Sequence, residues 1–380
     1  MERKESPLVT FTRKLKEHDA IKKCPNKKMV CLIYFKLLLS EPFRRRERKK
    51  FKKTVDKIEP DKAPIFIIGH WRSGTTYLHQ LMSEDPDLFF QTKYQNFFSD
   101  NFLTTEEFFK PMISRFMRLS RPVKQWRSNI SRTMNLDAPS ESDTALISEI
   151  SEFTYHWAHL FPKSYKTYFD KYLFFEGLSE EELREWQYTM RTLLNKTYLK
   201  HSHGRLLIKN PGDTARIKYL LEIYPNARFV FIHRNPYEVF YSNLKLWSHV
   251  LDTVSLQQIS EEEKRKIVLD VYEKLHRNYL EQKSLLVPGQ LAEISHQDII
   301  DAPMKTLKRI YKTLRLKNFD NAAPHIERFL KHQPPSNHNK YPNHPEDVRE
   351  INKQWDFAFR LWNYPKISTT PEEKELDVVG

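Results

Sequence analysis

The chain is predicted to be an α/β protein, a P-loop-type parallel sheet flanked by helices and carrying a large helical insertion. Three observations predict this. Ile65–Ile68 is a short, wholly apolar run of the kind a buried central strand needs, and it enters a loop bracketed by Gly69 and Gly74 before a helix-like stretch. A second run, Ala227–Ile232, leads into His233-Arg234-Asn235, and Pro236 opens another helix-like stretch, Tyr237–Trp247. Around both, short apolar segments alternate with segments of helical periodicity, the order of β–α units in one parallel sheet.

From the N-terminus, residues 1–28 read as polar and mobile, and 29–57 as two helices ending before Glu59-Pro60. Ile65–Ile68 is the first strand. The helix after the loop runs over Thr75–Ser83, stopped by Asp85-Pro86, and Leu88–Gln91 is a second strand. Residues 97–200 lack β alternation and carry helical periodicity, as over Ser142–Leu160 and Glu180–Lys200. Ser179 followed by three glutamates is a capped helix start. Arg205–Lys209, a helix over Thr214–Tyr224, and Arg228–Ile232 restore the strand–helix–strand order. Glu293–Ser295 is a fifth strand and Met304–Leu316 a helix. Residues 331–348, rich in Pro, Asn and His, form a loop before a last helix, Val348–Trp362. No repeat or composition break marks a linker. The simplest organisation is a basic helical extension over 1–60 and one domain over 61–380, with the insertion at about 97–200 as the natural place for a substrate pocket.

With 39% hydrophobic residues, including 7 Trp and 25 Phe among 380, the chain has ample apolar surface for a core, and global disorder is excluded. Cys24 and Cys31 are too few for a disulfide framework or a four-cysteine zinc site, which fits a reducing, cytoplasmic setting. His201/His203 and His332/His338/His344 sit among polar loop residues without carboxylates at metal-ligand spacing, so no metal is expected. The net charge of +14 calls for a partner. Much of the excess lies in residues 41–53, directly after the apolar run Met29–Leu39. That run falls short of the about 20 apolar residues that cross a bilayer, and its surroundings are unlike a signal peptide. An apolar stretch beside a basic one is the pattern of an interfacial anchor, giving peripheral membrane contact through residues 29–53; helices packed on the domain with a solvated basic face read the same. No stacking-aromatic or recognition-helix pattern accompanies the charge, so nucleic acid is not the expected partner.

Gly69 and Gly74 keep the spacing of a Walker loop, but Thr75 stands where that loop carries the lysine that grips the β/γ-phosphates. Backbone N–H groups at a helix N-terminus still cradle a phosphate. A nucleotide with a single 5′-phosphate group is therefore favoured over ATP. Arg234 at a strand end and Ser242 about two turns later can converge on one more phosphate, the arginine as a bidentate fork and the serine as a neutral hydroxyl. Both motifs begin at strand carboxyl ends, where open parallel sheets bind ligands.

On these residues the chain resembles the sulfotransferases that use 3′-phosphoadenosine 5′-phosphosulfate (PAPS). His70-Trp71-Arg72-Ser73-Gly74-Thr75-Thr76 is similar to their 5′-phosphosulfate loop, and Arg234 with Ser242 to their 3′-phosphate motif. Leu207-Ile208-Lys209-Asn210-Pro211 looks like the Lys-[Asp/Asn]-Pro stretch of the protein-tyrosine and related bacterial enzymes. His296–Pro303 looks like the family's Tyr-Glu-Asp-Leu-x-x-x-Pro segment. The cytosolic arylsulfotransferases close over the nucleotide with a late Arg-Lys-Gly-x-x-Gly segment, which none of the seven glycines forms, and they usually carry lysine where this chain has Arg72. The likeness is thus closer to the bacterial branch with a Gly-His-Trp-Arg-Ser-Gly-Thr-Thr loop, related to the tyrosylprotein branch.

The resemblance implies in-line transfer of a sulfuryl group from PAPS to a hydroxyl, leaving 3′,5′-bisphosphoadenosine and needing no metal. It implies Arg72 at the 5′-phosphate and bridging oxygen, with contacts from Ser73, Gly74, Thr75 and Thr76. Arg234 and Ser242 would hold the 3′-phosphate, and Lys209 would act as a second cation on the sulfonate. The acceptor hydroxyl needs a base. No histidine lies between residues 85 and 145 and Phe89–Phe98 holds no carboxylate, so the bases of the cytosolic and tyrosylprotein relatives have no counterpart. Leu136–Asp143 resembles a Pro-x-Glu-x-[Asp/Glu] segment of the bacterial branch, which makes Glu141 the candidate base, Asp143 the second, and His156 and His159 further candidates. Acidic residues at a helix start also complement its dipole. Aromatics at Phe89, Phe90, Tyr94, Phe97, Phe98, Phe102 and Phe153–Phe161 lean the acceptor towards an apolar alcohol, a sterol, lipid or isoprenoid, with carbohydrate and peptidyl tyrosine open. Two rival readings are a P-loop nucleotide kinase or NTPase, against which the missing lysine and missing Walker-B aspartate count, and a membrane-peripheral nucleotide-binding module without activity. Oligomeric state is not legible.

Overall fold

The computed structural model describes residues 6–19, 26–60, 62–119, 135–148, 151–201, 203–333, 341 and 343–368. Among them, β1 (Ile65–Ile68), β2 (Leu88–Phe90), β3 (Arg205–Lys209), β4 (Arg228–His233) and β5 (Leu291–Ser295) form one sheet in the order β2-β3-β1-β4-β5. Every neighbouring pair is parallel, with Phe66 level with Ile208 on one side and Phe229 on the other. The expected α/β class, a parallel sheet flanked by helices, is what forms.

Successive residues of β1 and β4 face opposite sides. Ile65, Ile67, Val230 and Ile232 pack in one apolar layer with Leu78, Leu81 and Met82 of the helix Thr75–Met82. Phe66, Ile68, Phe229 and Phe231 pack in the other, with Phe66 and Phe229 stacked at 5.5 Å. A sheet covered on both faces needs unbroken apolar strands, which is why these runs do not alternate with polar residues. The order also places β1 between β3 and β4, so the chain leaves β1 at the point where the winding of the sheet reverses. The loop after β1 is therefore flanked by the carboxyl ends of β3 and β4.

Four expectations need correction. The segment read as polar and mobile contains a helix, Pro7–Glu17, capped by Ser6, with Phe11 and Leu15 buried in the main core. Residues 1–5 and 20–25, including Cys24, lie outside the described residues. The two helices expected over 29–57 are one, Lys27–Val55, with Pro42 inside it. Proline within a helix costs about 3 kcal/mol. Here contacts on the following turns offset it. Arg44 is buried, donating to Asp100 Oδ2 at 2.9 and 2.7 Å and to Glu41 Oε2 at 2.7 Å. Glu47, also buried, meets Lys196 at 2.9 Å.

The helix expected over Ser142–Leu160 is broken into Asp143–Ser148 and Trp157–Leu160. Between them Ser151 Oγ accepts from Phe153 N at 3.2 Å and Thr154 Oγ1 from His156 N at 3.3 Å, local turns that compete with helix. The final helix starts earlier than expected and is split into Pro345–Gln354 and Asp356–Trp362. The break at Trp355 lets its buried indole stack on Tyr272 at 3.7 Å and donate to Leu269 O at 3.1 Å. In the preceding loop, 334–340 and 342 lie outside the described residues.

Candidate active site

The loop after β1 has a backbone that few residues allow. Gly69 has φ +139°, and a Cβ there would run into the carbonyl oxygen of Ile232 on β4. Its N–H donates to Thr214 Oγ1 at 2.8 Å and its carbonyl accepts from the same hydroxyl at 3.2 Å. Gly74 caps the helix Thr75–Met82 at φ +103°. Between them Arg72 is left-handed at φ +69°, an uncommon state for a residue with a Cβ. The surrounding contacts over-determine it: Asn243 Nδ2 donates to Trp71 O at 2.9 Å, and Ser73 donates to His70 O from both N (3.2 Å) and Oγ (2.7 Å). Ser73 and Thr75 are buried, while Arg72 and Thr76 are exposed.

This backbone brings the two candidate phosphate-binding segments together. Arg72 Nε donates to Ser242 Oγ at 2.8 Å, and Arg234 Nη1 to Arg72 O at 3.3 Å. Arg234 follows β4. Asn235 caps the helix Pro236–Val254 that carries Ser242, with its side chain accepting from Tyr237 N at 3.0 Å. Glu238 on the first turn pairs with Arg234 (Nε to Oε2, 2.6 Å).

On the other side, Lys209 ends β3 with its side chain 4% exposed. It contacts Glu141 and donates to Thr76 Oγ1 at 3.3 Å. Glu141 and Lys209 also form a backbone bridge, and Asn96 Nδ2 holds Glu141 O at 2.7 Å. Glu141 keeps a third of its side chain exposed (32%). Lys93 lies near enough for burial and the Lys209 charge to lower its pKa. Beneath, His79 is buried, and desolvation together with Lys209 holds its ring neutral, well below the usual histidine range. Cationic side chains at the ends of β2, β3 and β4 and in the β1 loop thus share one edge of the sheet, an arrangement that neutralises a polyanion.

Asp143 lies elsewhere. It is 1% exposed and both its oxygens accept from Arg216 Nη1, at 3.1 and 3.3 Å. Asp213 faces the same guanidinium at 3.4 Å and accepts from Asn210 Nδ2 at 2.8 Å. Burial pushes both carboxyls up, and Arg216 opposes it. This network ties the segment after Glu141 to the turn after Lys209. His156 and His159 are desolvated to about 3 and so are neutral rings. His159, with Trp71, Tyr155, Phe169, Trp247 and Val271, lines a largely apolar pocket beside the loop. Sequence reasoning missed Lys93, Thr214 and Asn243. For Lys93 a signal existed, since Thr92 and Gln95 form a capping box immediately after β2.

The parallel sheet, the loop with Thr75 in place of the Walker lysine, and the Arg234–Ser242 pair on the neighbouring strand–helix unit match the layout expected of a class that binds a nucleotide without gripping a triphosphate. The family model described as Sulfotransferase family matches residues 64–321, and the chain belongs to that family. It is a sulfotransferase, an enzyme of the PAPS-dependent kind. An enzyme of Mycobacterium tuberculosis, omega-hydroxy-beta-dihydromenaquinone-9 sulfotransferase, is 29% identical over 313 residues, covering 82% of this chain and 78% of the relative. The enzyme of the same name from Mycobacterium bovis matches equally. Among solved structures, a sulfotransferase of Mycobacterium avium superposes with a TM-score of 0.69 at 16% identity, covering 84% of this chain and 81% of that one. Another from M. tuberculosis H37Rv gives 0.59 at 18% identity, covering 77% and 78%. These structural likenesses support the fold.

Proposed function

We propose that this enzyme moves the sulfuryl group of PAPS to the hydroxyl of a hydrophobic small molecule, with Glu141 as general base. The observation that carries the reading is the convergence of Arg72, Ser242 and Arg234 on one side of the loop and of Lys209, Glu141 and Thr76 on the other. PAPS supplies an activated sulfuryl group on a 5′-phosphate, with a second phosphate at the 3′ position. Arg234 and Ser242 hold the 3′-phosphate, and the N–H groups from Gly74 to Thr76 with the Arg72 side chain hold the 5′-phosphate. Lys209 offsets charge on the transferred group and the bridging oxygen, the same electrostatic task that cations perform in phosphoryl transfer.

Glu141 takes the acceptor's proton. Its contact with Lys209 keeps the base and the cation at a common point. Asp143, locked to Arg216, positions this segment. The apolar pocket beside Trp71 and Tyr155 supports a hydrophobic acceptor. So does the relative whose name gives a hydroxylated dihydromenaquinone, an isoprenoid quinone, as what it sulfates. Purified enzyme with PAPS is therefore expected to sulfate a hydroxylated prenyl lipid or sterol in preference to a sugar or a tyrosyl peptide. Preferred sulfation of the sugar or peptide would overturn the acceptor assignment. No turnover with any alcohol, despite tight bisphosphate binding, would overturn the catalytic one.

A further inference from the structure

The helix Lys27–Val55 carries an exposed stripe that changes chemistry halfway along. Leu32, Phe35 and Leu39 are 60%, 61% and 56% exposed. At continued spacings of three and four residues, Arg46, Lys49 and Lys53 are exposed on the same stripe. One helical face is thus apolar for its first half and cationic for its second.

A second helix extends the apolar half. Phe102–Leu119 packs antiparallel to the first, with Thr104 N donating to Glu47 at 3.2 Å and Phe109 set edge-on to Phe43 at 5.4 Å. The pair runs from Glu47 back to Phe43 while advancing from Thr104 to Phe109. Phe108, Met112 and Phe116, one turn apart, are 76%, 57% and 69% exposed. Exposed aromatic and aliphatic side chains on two adjoining helices exceed the scattered apolar residues of an ordinary surface.

We infer that this two-helix face is the enzyme's docking surface for an anionic lipid bilayer. The apolar residues enter the headgroup–acyl boundary and the cationic half of the stripe lies against the charged headgroups. Charge complementarity selects this occupant, because a second copy of the chain would set the same cationic rows against each other. No helix among the described residues is long and apolar enough to cross a membrane, so the contact is interfacial. The face does not include the sheet edge, and the inference stands whatever the acceptor is.

Vesicle flotation of the full chain tests it. The protein is expected to float with vesicles of phosphatidylcholine mixed with phosphatidylglycerol, far less with phosphatidylcholine alone, and less at high salt. The variants Phe35→Ser/Leu39→Ser and Arg46→Glu/Lys49→Glu should each bind at least about tenfold more weakly. Leu361→Ser, an exposed apolar residue on a different helix, should float as the parent does, and matched unfolding curves show that the variants fold. A parent that stays with the unbound fraction on both vesicle types overturns the inference, as does flotation unaffected by the stripe variants. Concentration-dependent self-association lost in Phe35→Ser/Leu39→Ser, without vesicle binding, would assign the face to a second copy instead and equally overturn it.

Discussion

Arg72 occupies a left-handed backbone position and donates through Nε to Ser242, so one residue joins the two halves of the proposed donor site. Arg234 belongs to the same cluster through Arg72 O. Removing its guanidinium with Arg234→Ala should weaken 3′,5′-bisphosphoadenosine binding by about 1–3 kcal/mol, roughly 5- to 150-fold, in a calorimetric titration. Unchanged affinity would remove Arg234 from the site. Glu141→Gln should leave that affinity in place while lowering turnover by about 10²–10⁴. Near-normal turnover would exclude Glu141 as base. Asp143→Ala should act differently, because it removes the nearer of the two carboxylates facing the Arg216 guanidinium, which is 0% exposed, and leaves it Asp213 at 3.4 Å and Tyr172 O at 2.6 Å. The expected cost is about 1–3 kcal/mol of folding stability in denaturant titration, with donor affinity preserved in the molecules that fold.

At the scale of elements, the parts read correctly from the sequence were those whose backbone a few neighbouring residues dictate. The loop after β1 was legible because its two glycines and the apolar run before them are local. The placement of Arg234 after a strand and of Ser242 on the next helix was legible because a strand end and a proline-started helix fix their spacing. Thr214 and Asn243 were not, because they act across the fold. Thr214 lies 145 residues from the Gly69 it holds, and nothing around it in sequence records the contact. Residues 29–57 were read as two helices, yet the buried Arg44 and Glu47 contacts carry one helix through Pro42. The segment Ser142–Leu160 was read as helical from its periodicity, and the local turns of Ser151 and Thr154 lie between the two helices that form. Gly69→Ala tests the element directly. With a methyl group against Ile232 O and φ still positive, we expect a loss of about 2 kcal/mol or more and weaker bisphosphate binding. A stable variant that binds like the parent would mean that the loop has another low-energy path.

For the whole molecule, histidine burial sets the response to acid. His70 is held at about 4, His233 at about 4, and His156 and His159 at about 3, each chiefly by desolvation, against 6.5 for an exposed ring. Unfolding exposes rings that bind protons more readily, so this contribution to stability is complete above about pH 6.5 and is lost as the pH falls towards 4 and 3. The melting temperature should therefore drop steadily over that window, and a flat profile would contradict the burial of these rings. The same molecule places its cations along one carboxyl edge of the sheet, and that arrangement is the basis for the donor assignment. The most direct test is calorimetric titration of the purified enzyme with 3′,5′-bisphosphoadenosine, with ATP and Mg²⁺ in parallel. The account predicts binding at about micromolar or tighter for the bisphosphate and much weaker binding for the triphosphate. Binding of ATP with Mg²⁺ and none of the bisphosphate would contradict it.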